Sequence, residues 1–249
     1  MNGASRSGDI FRDGLAPDGA PPDDIPLREI AIPGPGVKLW LVDVAPDPTV
    51  LRAAAAVTSE EELARAERFF RLEDKARFLI ARATLRRLLG RRLGRRPSDF
   101  DFAATAHGRP YLAHRPELSF NVSHSGSHAL VALSDGRPVG VDIEAARDLP
   151  DALDLSGLFF HEAEHRAIAS RPDATERLAA FYRVWTAKEA VLKALGLGIA
   201  GHLKNFEIAL EPSGPRLARI ESPLAAALAR ASVLPVEAPP GYAAALALV

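Results

Sequence analysis

The 249-residue chain contains no cysteine. Disulfide scaffolds, thiolate zinc sites and cysteine nucleophiles are therefore excluded. It also lacks an apolar run of about 18 residues, so no segment is expected to span a membrane. The first residues do not have the basic-then-apolar layout of a secretory signal, and a cytoplasmic location fits that absence. The sequon Asn121-Val122-Ser123 has no meaning in such a compartment. An excess of one charge is missing too. Lys and Arg number 31 against 32 Asp and Glu, a net charge of −1, so the whole chain is not a polycation seeking nucleic acid.

What is present is an ordinary globular balance, with 47% hydrophobic and 25% charged residues. The length suits one large domain or two compact halves. The basic residues are unevenly spread. Arg82, Arg86, Arg87, Arg91, Arg92, Arg95 and Arg96 crowd one stretch. The plain reading is a solvated helix face with its end; the functional one is an electropositive rim for an anionic ligand or an acidic partner.

Residues 1–36 are rich in Gly, Pro and Asp and are expected to form a flexible arm. Regular structure is expected from the strand Val37–Val44. Thr58 or Ser59 can cap a helix that opens with Glu60, Glu61 and Glu62, acids suited to a helix N-terminus. A second helix is expected over Leu72–Leu93, with Phe78, Ala81, Leu85, Leu88 and Leu89 on one face. Strands follow near Phe100–Ala103, Ser119–Ser123, Ala129–Leu133 and Val139–Glu144. Helices fit Phe160–Ser170 and Asp173–Leu195, and strands fit Asn205–Leu210 and Gly241–Val249.

The segment from Arg77 to Gly90 echoes the one from Arg183 to Gly196. Arg77/Arg183, Ala81/Ala187, Leu89/Leu195 and Gly90/Gly196 match, and Arg82/Lys188 and Arg87/Lys193 agree in charge. Each copy follows an apolar strand carrying an aspartate, Asp43 or Asp142. The echo suggests an α+β fold of two similar halves, 37–136 and 137–249, related by a pseudo-twofold with a ligand cleft between them.

Asp142 and Glu144 stand two apart on an expected strand, so their side chains share a face. Converging carboxylates repel, and a hard divalent cation such as Mg²⁺ relieves the repulsion with all-oxygen ligation. Two solvated acids at a strand end are the plain alternative. Glu189 adds a third carboxylate on a helix, with Lys193 one turn on, after the aromatic run Phe181-Tyr182-Arg183-Val184-Trp185. On a surface helix Glu189 and Lys193 would be an ordinary ion pair. On a half-buried helix beside a same-face acid pair, they are the composition of a metal–pyrophosphate site. Ser123 and His124 end a strand in small polar residues, where they can donate to phosphate. A Ser–His hydrolase dyad is disfavoured, because adjacent strand residues point to opposite faces and no Gly-x-Ser-x-Gly elbow surrounds the serine.

Gly108-Arg109-Pro110, Phe120-Asn121-Val122-Ser123-His124-Ser125, Val139-Gly140-Val141-Asp142-Ile143-Glu144, Phe159-Phe160 and Trp185-Thr186-Ala187-Lys188-Glu189-Ala190-Val191-Leu192-Lys193 occur in that order. Together they resemble the Sfp-type 4′-phosphopantetheinyl transferases, over about residues 37–249. The resemblance implies a monomer of two similar α+β halves with coenzyme A between them. It implies transfer of the phosphopantetheine arm to a serine of an apo acyl, peptidyl or aryl carrier protein, releasing adenosine 3′,5′-bisphosphate. By position, Asp142, Glu144 and Glu189 resemble the carboxylates associated with Mg²⁺ (Mn²⁺ as a substitute), and Lys193 a pyrophosphate ligand. Asp142, Glu189 and Lys193 form the expected catalytic set, with Glu189 as base. Arg77, Arg109, Ser123 and His124 match contacts to the nucleotide end, and Lys188 and Trp185 match motif positions of supporting or catalytic role.

Two departures stand out. The usual Gly-Lys-Pro reads Gly108-Arg109-Pro110, and no lysine pair precedes Arg77, where Arg68 and Arg71 are the available substitutes. Two other patterns compete. His161-Glu162-Ala163-Glu164-His165 satisfies the His-Glu-x-x-His pattern of zinc hydrolases but lacks an evident third ligand. Gly196-Leu197-Gly198-Ile199-Ala200-Gly201 fits a dinucleotide fingerprint but closes a helix rather than opening one. A non-catalytic carrier-protein binder is the remaining alternative, and the intact acids and Lys193 argue against it.

Overall fold

A computed structural model describes residues 25–33, 36–105, 108–198, 201–220 and 224–249. Of the expected N-terminal arm, residues 1–24, 34 and 35 lie outside the described residues. The described residues divide into two compact units, one built on Val42–Phe100 and the other on Arg28–Leu41 and Asp101–Val249.

The first unit is helical. Helix α1 (Pro48–Ala55) starts at Asp47, whose carboxylate accepts from the amides of Thr49 and Val50. Helix α2 (Glu60–Ala66) starts at Ser59 in a reciprocal capping box with Glu62. Helix α3 (Leu72–Leu93) stops at Gly94, which takes the left-handed conformation. The arginine stretch departs from a simple solvated face. Arg86 is buried and donates to Glu62 Oε2 at 2.7 Å and to the carbonyls of Pro97 (3.0 Å) and Phe100 (2.9 Å). Arg87, also buried, donates to the carbonyl of Ala53 at 3.1 Å. These guanidiniums pair with a carbonyl in the last turn of α1 and with two carbonyls just beyond α3. Arg91, Arg92, Arg95 and Arg96 are exposed.

The second unit carries the sheets. Its elements are most of β1 (Leu27–Ile30) and of β2 (Val37–Asp43), then β3 (Ala103–Ala104), β4 (Pro110–Tyr111), β5 (Leu118–Ser125), β6 (His128–Asp135) and β7 (Val139–Ala145). Then come α4 (Ala152–Phe159), α5 (Glu162–Ala169), α6 (Ala174–Leu195), β8 (Phe206–Glu211), β9 (Gly214–Ile220), α7 (Ala225–Leu228), β10 (Ser232–Pro235) and β11 (Tyr242–Leu248). A four-stranded sheet has the order β1-β2-β6-β5 and a three-stranded sheet the order β10-β11-β7; β3-β4 and β8-β9 are separate pairs. Helices with antiparallel pairs make the chain α+β. Among the described residues, no helix is long and apolar enough to cross a membrane.

Period-two patterning on β7 decides the layering. Val139, Val141 and Ile143 point into a core shared with Leu39, Leu130, Ala132 and Leu246. The intervening Gly140, Asp142 and Glu144 face the other way. There, Ala187, Ala190, Val191 and Ala194 of α6 pack with Ala245 and Ala247 of β11. Gly140 makes this approach achievable, since a Cβ at that position would lie 2.0 Å from the carbonyl oxygen of Ala190. Only glycine lets the helix backbone sit this close to the strand.

Strands β5 and β7 lie at the edges of different sheets, and side chains join them. The side-chain oxygens of Ser119, Asn121, Ser123 and Ser125 accept from the amides of Val139 (3.0 Å), Val141 (2.9 Å), Ile143 (3.4 Å) and Ala145 (3.1 Å). Every second residue of one strand thus satisfies every second amide of the other. The seam replaces a backbone ladder and leaves these edge amides paired.

Candidate active site

Asp142 and Glu144 occupy one face of β7 as their spacing requires. Asp142 is only 2% exposed. Its Oδ1 accepts from Ser123 Oγ at 2.7 Å and from Lys193 Nζ at 2.6 Å, and Lys193 also donates to Ser123 Oγ at 3.1 Å. Its Oδ2 is buried with no hydrogen-bond partner. Glu144 Oε2 accepts from Ser125 Oγ at 2.7 Å. Burial pushes the Glu144 carboxyl above its ordinary range, Ser125 opposes the shift, and the charge of Asp142 adds to it.

Helix α6 brings the third acid. Asp173 caps its start, accepting from the amide of Glu176, and left-handed Gly196 ends it. Glu189 is 6% exposed, and its carboxyl is pushed up to about 7, first by desolvation and then by Asp142, with Lys193 opposing and Glu144 adding a smaller push. Glu189 and Lys193 therefore belong with Asp142 and Glu144. The expected catalytic set is one neighbourhood, drawn from a strand and the helix packed across it.

Oxygen-rich chemistry of this kind suits a hard cation. Among the described residues, however, no three His, Asp or Glu side chains stand ready-made as a coordination sphere. What the cluster does offer is an orphaned buried acceptor, Asp142 Oδ2, beside two carboxyls, Glu144 and Glu189, that burial pushes above their ordinary range. A divalent cation would satisfy the first and lower the second, so the donor set fits one.

The other expected residues stand as follows. Ser123 is buried in the cluster, whereas neighbouring His124 is exposed on the opposite face of β5, so the two form no dyad. Arg109 reaches inward. Its guanidinium donates to the carbonyls of Lys193 and Ala194 at the end of α6, to Ser119 Oγ (3.0 Å), and to the carbonyls of Phe120 (3.0 Å) and Val139 (2.9 Å). It thereby brackets α6 to the start of the seam. Lys188 is fully buried away from the acids: it pairs with Glu164 Oε1 at 2.8 Å and donates to the carbonyls of Leu203 and Phe206, each at 2.6 Å. Glu164 in turn accepts from the amides of Ile208 and His161. Trp185 packs with Phe160 and Phe181 in an aromatic cluster. Arg77 belongs to the first unit, on α3, where it pairs with Asp74.

The His-Glu-x-x-His pattern has its own local tasks. His161 precedes α5 as its N-cap and accepts from the amide of Ala163, His165 Nδ1 bonds Ser156 Oγ at 2.8 Å, and Glu162 pairs with Arg166. Gly196 ends α6 with φ 72°, as a helix-closing glycine should; Ile199 and Ala200 of that pattern lie outside the described residues. The residue that sequence reading missed is Ser125. Its signal was there: Ser119, Asn121, Ser123 and Ser125 form a period-two polar row that alternates with Leu118, Phe120 and Val122, broken only by His124.

Residues 138–247 match the family described as the 4′-phosphopantetheinyl transferase superfamily, and residues 43–135 the family described as 4′-phosphopantetheinyl transferase, N-terminal. Among curated relatives, 4′-phosphopantetheinyl transferase HetI of Nostoc is 40% identical over 182 residues, covering 72% of this chain and 76% of the relative. The chain belongs to the 4′-phosphopantetheinyl transferase superfamily. It is accordingly a transferase. The Sfp transferase of Bacillus subtilis is 31% identical over 63% of this chain and 68% of its own length. The L-aminoadipate-semialdehyde dehydrogenase-phosphopantetheinyl transferase of Xenopus laevis is 30% identical over 67% and 58%. The acids and Lys193 all lie within the superfamily match of residues 138–247.

Proposed function

We propose that this transferase moves the phosphopantetheine arm of coenzyme A to a serine hydroxyl of an apo carrier protein, with Mg²⁺ held by Asp142, Glu144 and Glu189. The observation that carries the reading is the cluster of Asp142, Ser123 and Lys193 beside Glu189, in a chain of this superfamily. Bound there, the cation would polarise the pyrophosphate and neutralise charge on its oxygens.

The chain's own residues do the rest. Lys193 is partly exposed and offers its ammonium to pyrophosphate oxygens, while Asp142 and Ser123 fix the side chain. Glu189, poised near neutrality, takes the proton of the carrier serine directly or through water. The serine oxygen forms a bond to the β-phosphorus, the bond to the bridging oxygen breaks, and adenosine 3′,5′-bisphosphate leaves with the electron pair. Arg77, Arg109, Ser123 and His124 remain the proposed nucleotide-side contacts, and Lys188 completes the proposed coenzyme A set in a supporting role. Within it, Arg109 and Lys188 already serve protein acceptors and would act by holding α6.

Intact-mass analysis of an apo carrier protein incubated with this protein, coenzyme A and Mg²⁺ tests the reading. A gain of one phosphopantetheine is expected; a carrier of unchanged mass across acyl, peptidyl and aryl carriers would overturn it.

A further inference from the structure

The β5–β7 seam pairs a backbone amide at all four rungs, and at two of them it also holds an acid. At Asn121 the rung is made by an amide oxygen, and at Ser119 the oxygen that accepts from Val139 also accepts from Arg109. Bracing the strands therefore does not itself call for a hydroxyl. At 123 and 125 a hydroxyl is present, and its proton goes to an acid. Ser123 donates to Asp142 while accepting from the amide of Ile143. Ser125 donates to Glu144 while accepting from the amide of Ala145. Each serine thus grips an acid and the peptide that follows it, and the same clasp repeats two residues on.

The physical consequence is directional. A hydroxyl has one proton, so once its lone pair is fixed by a backbone amide, the proton can swing only over a narrow arc. That arc fixes the rotamer of the carboxylate it meets. Glutamate is among the side chains with most rotamer freedom to lose, and Glu144 is the more exposed of the two acids. Ser125 is itself only 5% exposed, and its oxygen has no role toward Lys193, unlike that of Ser123. It is the cleaner of the two clasps to examine.

We propose that Ser125 is a positioning residue, which holds the Glu144 carboxylate in the orientation needed to receive a divalent cation. The proposal rests on the reading of Asp142, Glu144 and Glu189 as a cation seat. Outer-shell partners of this sort are worth about tenfold to a hundredfold in metal affinity.

The test is direct Mn²⁺ binding to the full chain without coenzyme A, followed by electron paramagnetic resonance, with thermal melting of each variant alongside. Ser125→Ala should weaken Mn²⁺ binding about tenfold. Ser119→Ala, which removes a rung remote from the acids, should lower the melting temperature and leave Mn²⁺ affinity unchanged. Ser125→Thr, which keeps the hydroxyl, should restore affinity. In a Glu144→Gln background, Ser125→Ala should cause no further loss, since the two then act as one unit. If Ser125→Ala does not fold, Ser125→Cys is compared with Ser125→Thr, and equal affinity overturns the role. Wild-type protein that modifies a carrier while Ser125→Ala binds Mn²⁺ as tightly overturns the positioning role alone. Wild-type protein that binds no Mn²⁺ overturns the cation seat and the positioning role with it.

Discussion

Glu189 is the residue on which the proposed chemistry turns, and its environment makes a signed prediction. Its carboxyl is raised from 4.5 to about 7 by burial and by Asp142. Between those values the folded state holds a proton that the unfolded state has released, so stability falls as pH rises through that window. Glu189→Gln should therefore unfold at higher urea than wild type above pH 7 in metal-free buffer, and the difference should vanish below about pH 4.5. An unchanged difference across the titration would refute the shift. Activity moves the other way: the same variant should lose about 10²-fold or more in transfer rate, as removal of a general base does. The same-face placement of Asp142 and Glu144 was legible from their spacing, because a strand's period admits no other arrangement. The tasks of Arg109 and Lys188 were not. A buried cation and a ligand-facing cation look alike in a motif, and only the positions of Glu164 and the carbonyls at the end of α6 tell them apart.

Helices α3 and α6 were readable to within a residue, because each has a long apolar face and a glycine stop. Strand β5 was readable from alternation, β7 from alternation and β-branched content, and β6 and β11 from short apolar runs. Helices α1, α4 and α7 and strands β1, β4, β9 and β10 were missed: they are short, and their sequences carry weak periodicity until tertiary contacts select them. At this scale the decisive feature is how closely α6 lies on β7. Gly140→Ala would drive a methyl group into the Ala190 carbonyl, so it should destabilise the fold by about 1–3 kcal/mol or more, read by urea denaturation. Near wild-type stability would mean that the helix can move off the strand freely. Lys188→Met should cost about 3–5 kcal/mol by leaving Glu164 buried without its cation. Replacing Lys188 and Glu164 together by apolar residues should recover much of that loss.

Over the molecule as a whole, charge is nearly balanced while function is concentrated. The acids and Lys193 proposed for the chemistry come from β7 and α6 of one compact unit; Arg77, proposed to contact coenzyme A, belongs to α3. Arg77→Ala should raise the KM for coenzyme A about tenfold, consistent with losing one charge-assisted hydrogen bond, while Mn²⁺ binding to the acids stays as in wild type. A fall in Mn²⁺ binding with unchanged KM would place Arg77 with the acids instead. The order of motifs along the chain was enough to indicate the family, since five moderate signals in sequence are far rarer than any one. The arginine stretch misled because Arg86 and Arg87 do structural work inside a helical unit, which composition does not reveal. The most direct measurement is a time course of carrier-protein mass with wild-type protein and Glu189→Gln side by side, in coenzyme A and Mg²⁺. Wild type should add one phosphopantetheine and Glu189→Gln should do so at least about 10²-fold more slowly; an unmodified carrier with wild type, or equal rates for the two, would contradict the proposed chemistry.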